Sequence, residues 1–450
     1  MNEKVLKLLE NGLFSELKEY LISLEPADIV TILEELNDQY ILLLFRLLPK
    51  GEAAQVFTYM ESDMQIWLIE SFNNIEIKHL FDKLFIDDAV DLIEEMPAGI
   101  VKKILSNTSK ETRDNINEIL KYPSDSAGSI MTIEFIGIRP KLTVKEAFDK
   151  IRRTGVNKET IYTCYVIDDN RTLLGTISVK DLLLSQYNQT IEEIMDKNTI
   201  SLNTLDDKEF VAKQFQKYDF LAMPVVDTEN RLVGIVTIDD AMDVLEEENE
   251  EDFAIMAAMT PNEDSYFKTS IFTHSKNRIV WLLVLMFSAT ITGMIINNYN
   301  DAITAIPILV SFMPMLMNTG GNCGSQSSTL IIRGLALDEI KFKDILKVVF
   351  KELRISIIVG AILSTVNGLR IYIMYKNNDS IESSASLAII VALTLFSVVI
   401  IAKIIGSMLP MLAKKLKLDP AIMAAPLITT IVDTFSVIIF FKIATLLLHI

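Results

Sequence analysis

Hydrophobic and polar positions are arranged in three different ways along these 450 residues. After residue 278 the apolar positions merge into long runs. Five of them, at 279–296, 302–318, 355–374, 386–409 and 421–448, approach the roughly 20 apolar residues that one helical crossing of a bilayer needs. The second is short and passes directly into Thr319-Gly-Gly-Asn-Cys-Gly-Ser-Gln326. Before residue 130, apolar residues recur at helical spacing in short segments, which predicts small amphipathic helices. Asp28-Ile-Val-Thr-Ile-Leu-Glu-Glu-Leu36 matches Asp88-Ala-Val-Asp-Leu-Ile-Glu-Glu-Met96 at an offset of 60, which suggests a helical repeat array.

Between these regions the period changes to that of strands. Val166-Ile-Asp-Asp-Asn170 and Leu174-Gly-Thr-Ile-Ser-Val-Lys-Asp181 return, 59 residues later, as Val225-Val-Asp-Thr-Glu229 and Val233-Gly-Ile-Val-Thr-Ile-Asp-Asp240. Each copy reads strand, turn, strand, helix, with Asn170-Arg171 and Asn230-Arg231 supplying the turns. The approaches also match, Ile130-Met131-Thr132 and Ile194-Met195-Asp196.

Charge separates the same regions. The chain carries 60 acidic and 42 basic residues, net −18. Residues 279–450 hold 9 acids and 13 bases, leaving 51 and 29 before them. So acidic a front part disfavours nucleic acid and anionic lipid and suits cations. Bases cluster before the first span (Lys268, Lys276, Arg278), between the second and third (Arg333, Lys341, Lys343, Lys347, Lys351, Arg354), and between the fourth and fifth (Lys414, Lys415, Lys417). The alternate loops hold almost none. By the positive-inside rule the N-terminus is cytoplasmic and the C-terminus outside. The amphipathic start, with no signal peptide, agrees. Two distant cysteines and three histidines point to neither a disulfide framework nor a zinc site.

Four features carry chemistry. Asp433 lies inside the last apolar run, where a carboxylate costs on the order of 3 kcal/mol. Such a residue faces a water path, an ion or a partner, or bonds to neighbouring Thr or backbone. Lys442, nine residues on, falls on the opposite helix face and near the span's end, where it can snorkel. The glycines at 320–324 either mark broken or closely packed helix lining a cavity, or cap a helix end. Asp87 and Asp91 stand four apart on one helix and repel, which a divalent cation would relieve. Glu246-Glu-Glu-Asn-Glu-Glu-Asp252 places six acids in seven positions between the repeats and the first span. Hard divalent cations prefer such oxygen ligands.

The duplicated strand pattern over about 130–245 resembles a tandem pair of CBS domains. That resemblance implies a regulatory module able to hold an adenine nucleotide, with Asp181 and Asp240 at the ribose position and Lys180 beside the first. Helix capping is their local alternative. Thr163 replaces an aromatic often found at the nucleotide face. The whole order, with Tyr122-Pro-Ser-Asp-Ser-Ala-Gly-Ser-Ile-Met-Thr132, Gly320-Gly-Asn-Cys-Gly-Ser-Gln326 before Leu330-Ile-Ile-Arg333, and Pro426-Leu-Ile-Thr-Thr-Ile-Val-Asp433, resembles the MgtE family of magnesium channels and transporters.

The resemblance implies a multidomain fold. An acidic cytoplasmic α-helical repeat domain (1–129) is followed by the α/β tandem CBS pair (130–245) and an acidic connecting or plug helix (246–272). An all-α transmembrane domain with five helices (273–450) completes it. It implies a homodimer in the cell membrane and a Mg²⁺-selective, Mg²⁺-gated import channel. Asp433 would select hydrated Mg²⁺ in the pore, with Asn322, Gly321, Ala425 and Thr429 beside it and Asp419 at the cytoplasmic pore end. Asp87, Asp91, Asp227, Asp243, Glu251 and Asp252 would be the sensing carboxylates. ATP is the implied CBS ligand. Two departures touch the pore: Ala425 stands where relatives often have Ser, Gly or Asn, and Cys323 where a small apolar or hydroxyl residue is usual. A cation-coupled carrier and a membrane-anchored metal or nucleotide sensor are the competing functions. No GxxxxGK[ST] motif is present, and no nucleophile-base pair within the spans suggests an enzyme.

Overall fold

The computed structural model describes residues 2–262, 266–267, 269–376 and 384–448, in two units, Met1–Leu245 and Glu246–Ile450. Among the described residues, ten helices of 8 to 10 residues follow one another from Asn2–Glu10 to Lys110–Ile119. Each is too short to persist alone, so their shared apolar core holds them. The offset of 60 reappears in the packing. Pro26–Glu34 buries Ile29, Val30, Ile32 and Leu33, and Ile86–Glu95 buries Ala89, Val90, Leu92 and Ile93, the same four positions. Local chemistry sets the boundaries: Pro26 opens its helix at a position needing no N–H bond, and Asn73 with Glu76 forms a capping box.

The strand repeats fold as two matched three-stranded sheets. β1 (Gly137–Ile138) pairs parallel with β2 (Thr163–Ile167), which pairs antiparallel with β3 (Leu173–Ser178). β4 (Leu202–Asn203), β5 (Ala222–Val226) and β6 (Leu232–Thr237) repeat this order. The β2–β3 register shifts at Val166/Ile167 and the β5–β6 register at Val225/Val226, so even the irregularity is duplicated at the offset of 59. The two turns place Arg171 and Asn230 at φ 66° and 60°. They also bond to each other: Leu173 N–H donates to Asn230 and Leu232 N–H to Arg171. The helix Ile238–Met256 follows β6 and carries the acidic run.

In the second unit, α1 (Ile271–Asn297), α2 (Met313–Ala336), α3 (Ile345–Tyr375), α4 (Ser384–Lys415) and α5 (Ala425–Leu448) are the long helices. Among the described residues four helices are long and apolar enough to cross a membrane, those containing α1, α3, α4 and α5. The second predicted stretch, 302–318, is displaced. A short helix (Asn300–Ala305) and a 3-10 segment (Pro307–Phe312) occupy its first part, and α2 begins only at Met313. Pro307 and Pro314 lack the N–H that an uninterrupted helix through 302–318 would require. They are tolerated because each falls at the start of its helix.

The glycine motif is therefore neither broken backbone nor a helix end, but the closely packed middle of α2. A Cβ on Gly320 would lie 2.6 Å from Val398, and one on Gly324 would lie 2.8 Å from Ile428. On α4, Gly406 meets the Gly324 backbone so closely that a Cβ would collide with its carbonyl oxygen. Small residues let helix backbones approach where lipid gives no hydrophobic drive between helices.

Candidate cation sites

In the first unit, folding brings together carboxylates scattered through the sequence. The Ile86–Glu95 helix supplies Asp87, almost wholly buried, and Asp88. The residues after Met131 supply Glu134, whose carboxylate accepts from the Thr132 hydroxyl at 2.7 Å. Glu159 comes from the segment before β2. Asp239 and Asp240 open the Ile238–Met256 helix, where the Asp240 carboxylate accepts from the Thr237 hydroxyl at 2.5 Å.

Asp87, Asp88, Asp240 and Glu159 are raised, first by burial and then by neighbouring carboxylates. Burial, then Asp240, Asp88 and Glu159, drives Asp87 well above the usual carboxylate range. Burial with Asp239, Glu134 and Asp243 pushes Asp88 up to about 6. Asp240, raised by burial and by Asp239 and Asp88 against the pull of Thr237, reaches about 7. Glu159, raised by burial, Asp88, Asp239, Asp240 and Glu134, reaches about 8. Glu159 Oε2 is buried without a hydrogen-bond partner among the described residues. The cluster thus stores repulsion that a cation would discharge. Among the described residues no group of three or more His, Cys, Asp or Glu is placed to hold a metal ion.

Of the residues expected to sense cations, Asp87 lies inside this cluster and Asp243 faces Asp88. Asp91 is exposed on the same helix as Asp87. Asp227 sits in the β5–β6 turn, where its carboxylate accepts from the Glu229 and Arg231 amides at 2.8 and 2.9 Å. Asp168 does the same in the other copy. Glu251 and Asp252 lie on the last turns of Ile238–Met256, in the second unit. Asp88, Glu134, Glu159 and Asp239 escaped the sequence reading. The adjacent acids Asp239-Asp240 just after a strand were their one local signal. Asp181 closes a cap with Ser178, whose hydroxyl donates to it at 2.6 Å, and both it and Lys180 are exposed.

In the second unit, Ala425, Thr429 and Asp433 follow at four-residue intervals along one face of α5. None of the three is buried. The Thr hydroxyls near Asp433 are spent on other groups. Thr429 and Thr430 both donate to the Pro426 carbonyl at 2.9 Å, and the Thr434 hydroxyl lies 2.8 Å from that of Thr292 on α1. Among the described residues the Asp433 carboxylate makes neither an ion pair nor a hydrogen bond, so bonding to neighbouring Thr or backbone does not explain it. Lys442 is exposed further along the helix. Gly321 on α2 packs on Thr429, where a Cβ would meet its methyl at 2.8 Å. Asn322 beside it is exposed. Asp419 caps the Pro420–Met423 turn that leads into α5, accepting from the Ala421 amide at 2.8 Å.

Two matched three-stranded sheets beside a buried acidic cluster, and a separate unit of membrane-length helices carrying a carboxylate unpaired among the described residues, are the architecture of a membrane protein with a large extramembrane part. Family models match in the same order: an MgtE intracellular N domain over residues 24–125, CBS domains over 127–187 and 191–247, and an MgtE divalent cation transporter domain over 313–443. The magnesium transporter MgtE of Bacillus subtilis is 33% identical over 99% of this chain and 97% of its own length. That of Thermus thermophilus is 32% identical over 98% and 97%. The chain belongs to the MgtE family. Among solved structures, the cytosolic domain of the Mg²⁺ channel MgtE in complex with ATP covers 54% of this chain and all of its own, at 31% identity and a TM-score of 0.51. The soluble part of a magnesium transporter covers 55% and 97%, at 31% and 0.53.

Proposed function

We propose that this chain is a homodimeric Mg²⁺ channel that admits Mg²⁺ into the cell and closes when cytosolic Mg²⁺ fills its acidic sites. The observation that carries the reading is Asp433 on α5, which has no ion-pair or hydrogen-bond partner among the described residues. Two copies facing each other across a two-fold axis would present two carboxylates to one hydrated ion, which suits a cation that dehydrates reluctantly. Ala425, Thr429, Gly321 and Asn322 would line the same path, and Asp419 its cytoplasmic end. The membrane potential drives such an ion inward by about 4.6 kcal/mol per 100 mV, twice the value for one charge. In this reading the N-terminus is cytoplasmic and the C-terminus outside, which the basic loops support.

Gating follows from the soluble cluster. Mg²⁺ held by Asp87 and Asp240, with Asp88, Glu134, Glu159 and Asp239 around them, removes repulsion between the helical domain and the CBS pair. Asp91, Asp227, Asp243, Glu251 and Asp252 supply further carboxylates. Loss of the ion lets these parts separate, and the acidic helix carries that change to the pore as a population shift. ATP is the proposed CBS ligand, near Asp181 and Lys180.

The test is Mg²⁺ uptake into proteoliposomes by the wild type and by Asp433→Ala, with single-channel recording. Loss of uptake in the variant and unitary currents far above carrier turnover are expected. Uptake surviving in Asp433→Ala would overturn the pore. Wild-type uptake without unitary current would indicate a coupled carrier, and no wild-type transport at all an anchored sensor.

A further inference from the structure

Three helices of the membrane unit meet at a buried ionic group that the path along α5 does not use. Glu352 on α3 and Lys403 on α4 are 6% and 5% exposed, with Nζ and Oε2 3.9 Å apart. Ser327 on α2 joins them. Its hydroxyl donates to Glu352 Oε2 at 2.6 Å and accepts from Lys403 Nζ at 3.2 Å. The next residue, Ser328, is wholly buried and donates to the Met423 carbonyl, in the turn that leads directly into α5. Adjacent residues of α2 therefore fasten it to α3 and α4 on one side and to the start of α5 on the other. Gly321, seated on Thr429, lies six residues earlier on α2, about 9 Å along its axis.

A buried ion pair is a poor way to gain stability. Its desolvation cost rivals its attraction, and apolar residues of similar size often do as well. Directionality is what it supplies instead: the group is satisfied only at one rotation and one axial position of α2. Removing one partner leaves the other charge buried and alone, which is costly.

We propose that Glu352, Lys403 and Ser327 are positioning residues for ion permeation, holding α2 in the register that keeps Gly321 on Thr429, one turn from Asp433. The proposal rests on the α5 face being the ion path. It assigns no contact with the ion to any of the three.

The test uses full-length protein in proteoliposomes, with Mg²⁺ and Co²⁺ uptake measured per folded protein. Ser327→Ala keeps both charges, and Glu352→Gln/Lys403→Met removes both together. Each is expected to lower Mg²⁺ uptake at least threefold and to shift the Mg²⁺/Co²⁺ uptake ratio by a similar factor. The charge exchange Glu352→Lys/Lys403→Glu is expected to recover part of both losses. A merely structural role would reduce the amount of folded protein and leave the ratio unmoved. Wild-type uptake and ratio in both Ser327→Ala and the double variant overturn the proposal, and these two variants carry the test even where single charge removals fail to fold. Asp433→Ala separates the two readings: if it abolishes uptake while Ser327→Ala and the double variant do not, only the positioning role fails.

Discussion

Asp240→Asn tests whether the soluble cluster stores repulsion. In the folded unit Asp240 is raised from 3.8 to about 7, burial being the largest cause and Asp239 and Asp88 adding to it. Holding the group ionised in the fold then costs roughly 4 kcal/mol, at 1.36 kcal/mol for each pH unit. The asparagine stays desolvated and keeps part of the Thr237 hydrogen bonding, so a net gain of about 1–4 kcal/mol is expected. For a unit of 245 residues, at 2–4 °C per kcal/mol, Tm rises by roughly 2–16 °C.

The sign of the pH dependence is fixed by the direction of the shift. Between about pH 4 and 7 the folded unit holds a proton that the unfolded chain has released, so wild-type stability falls as pH rises through that window. Below pH 4 both states are protonated and the substitution is silent. Above pH 7 its effect is full. Thermal unfolding of a 1–262 fragment in chelator, from pH 5 to 8.5, reads this directly. Saturating Mg²⁺ should stabilise the wild type by about 2.7 kcal/mol at 100 times Kd and so raise its Tm, and should raise the variant's Tm less. If Asp240→Asn lowers Tm at pH 8 in chelator, or acts equally at every pH, then the Thr237 bonds outweigh the repulsion and the electrostatic basis of gating falls.

Two further substitutions probe the membrane unit. Gly406→Ala drives a Cβ into the Gly324 carbonyl, with the Gly324 carbon only 2.9 Å away, and overpacking against backbone costs about 1–3 kcal/mol or more. A lower Tm in detergent and reduced uptake are expected, while Gly293→Ala on α1, with nothing within 4 Å, should match wild type; equal behaviour of the two would refute the close α2–α4 approach. Asn367 on α3 is 8% exposed and its Nδ2 has no partner among the described residues. Asn367→Leu removes that unsatisfied donor and should leave stability unchanged or raise it by about 1–2 kcal/mol, read as an unchanged or higher Tm; a fall in Tm would show that the amide is engaged.

Repeats were the most legible part of the fold because a repeat states its own geometry twice. The four buried positions of Pro26–Glu34 return in Ile86–Glu95, and the two sheets share a register shift at the same offset. Neither needed knowledge of distant contacts. The second membrane stretch misled for the opposite reason. Residues 302–318 are apolar enough to span, whereas α2 is rich in Gly, Ser and Asn. What makes α2 a helix is the fit of its glycines against Val398, Ile428 and Gly406, and hydropathy along the chain does not register that.

Charge within the apolar runs is only half legible in the sequence. Asp433 stands out because Lys442 lies on the opposite face of the helix, and among the described residues the folded unit gives it no partner either. Lys403 was an equal anomaly inside an apolar run, and its resolution lies in Glu352, 51 residues earlier on another helix. The contrast separates two meanings of an intramembrane charge. Lys403 and Glu352 cancel each other and hold three helices in register, so their cost is met within the protein. Among the described residues nothing offsets Asp433, and the proposed pore is what would meet its cost, through a second copy and a shared cation.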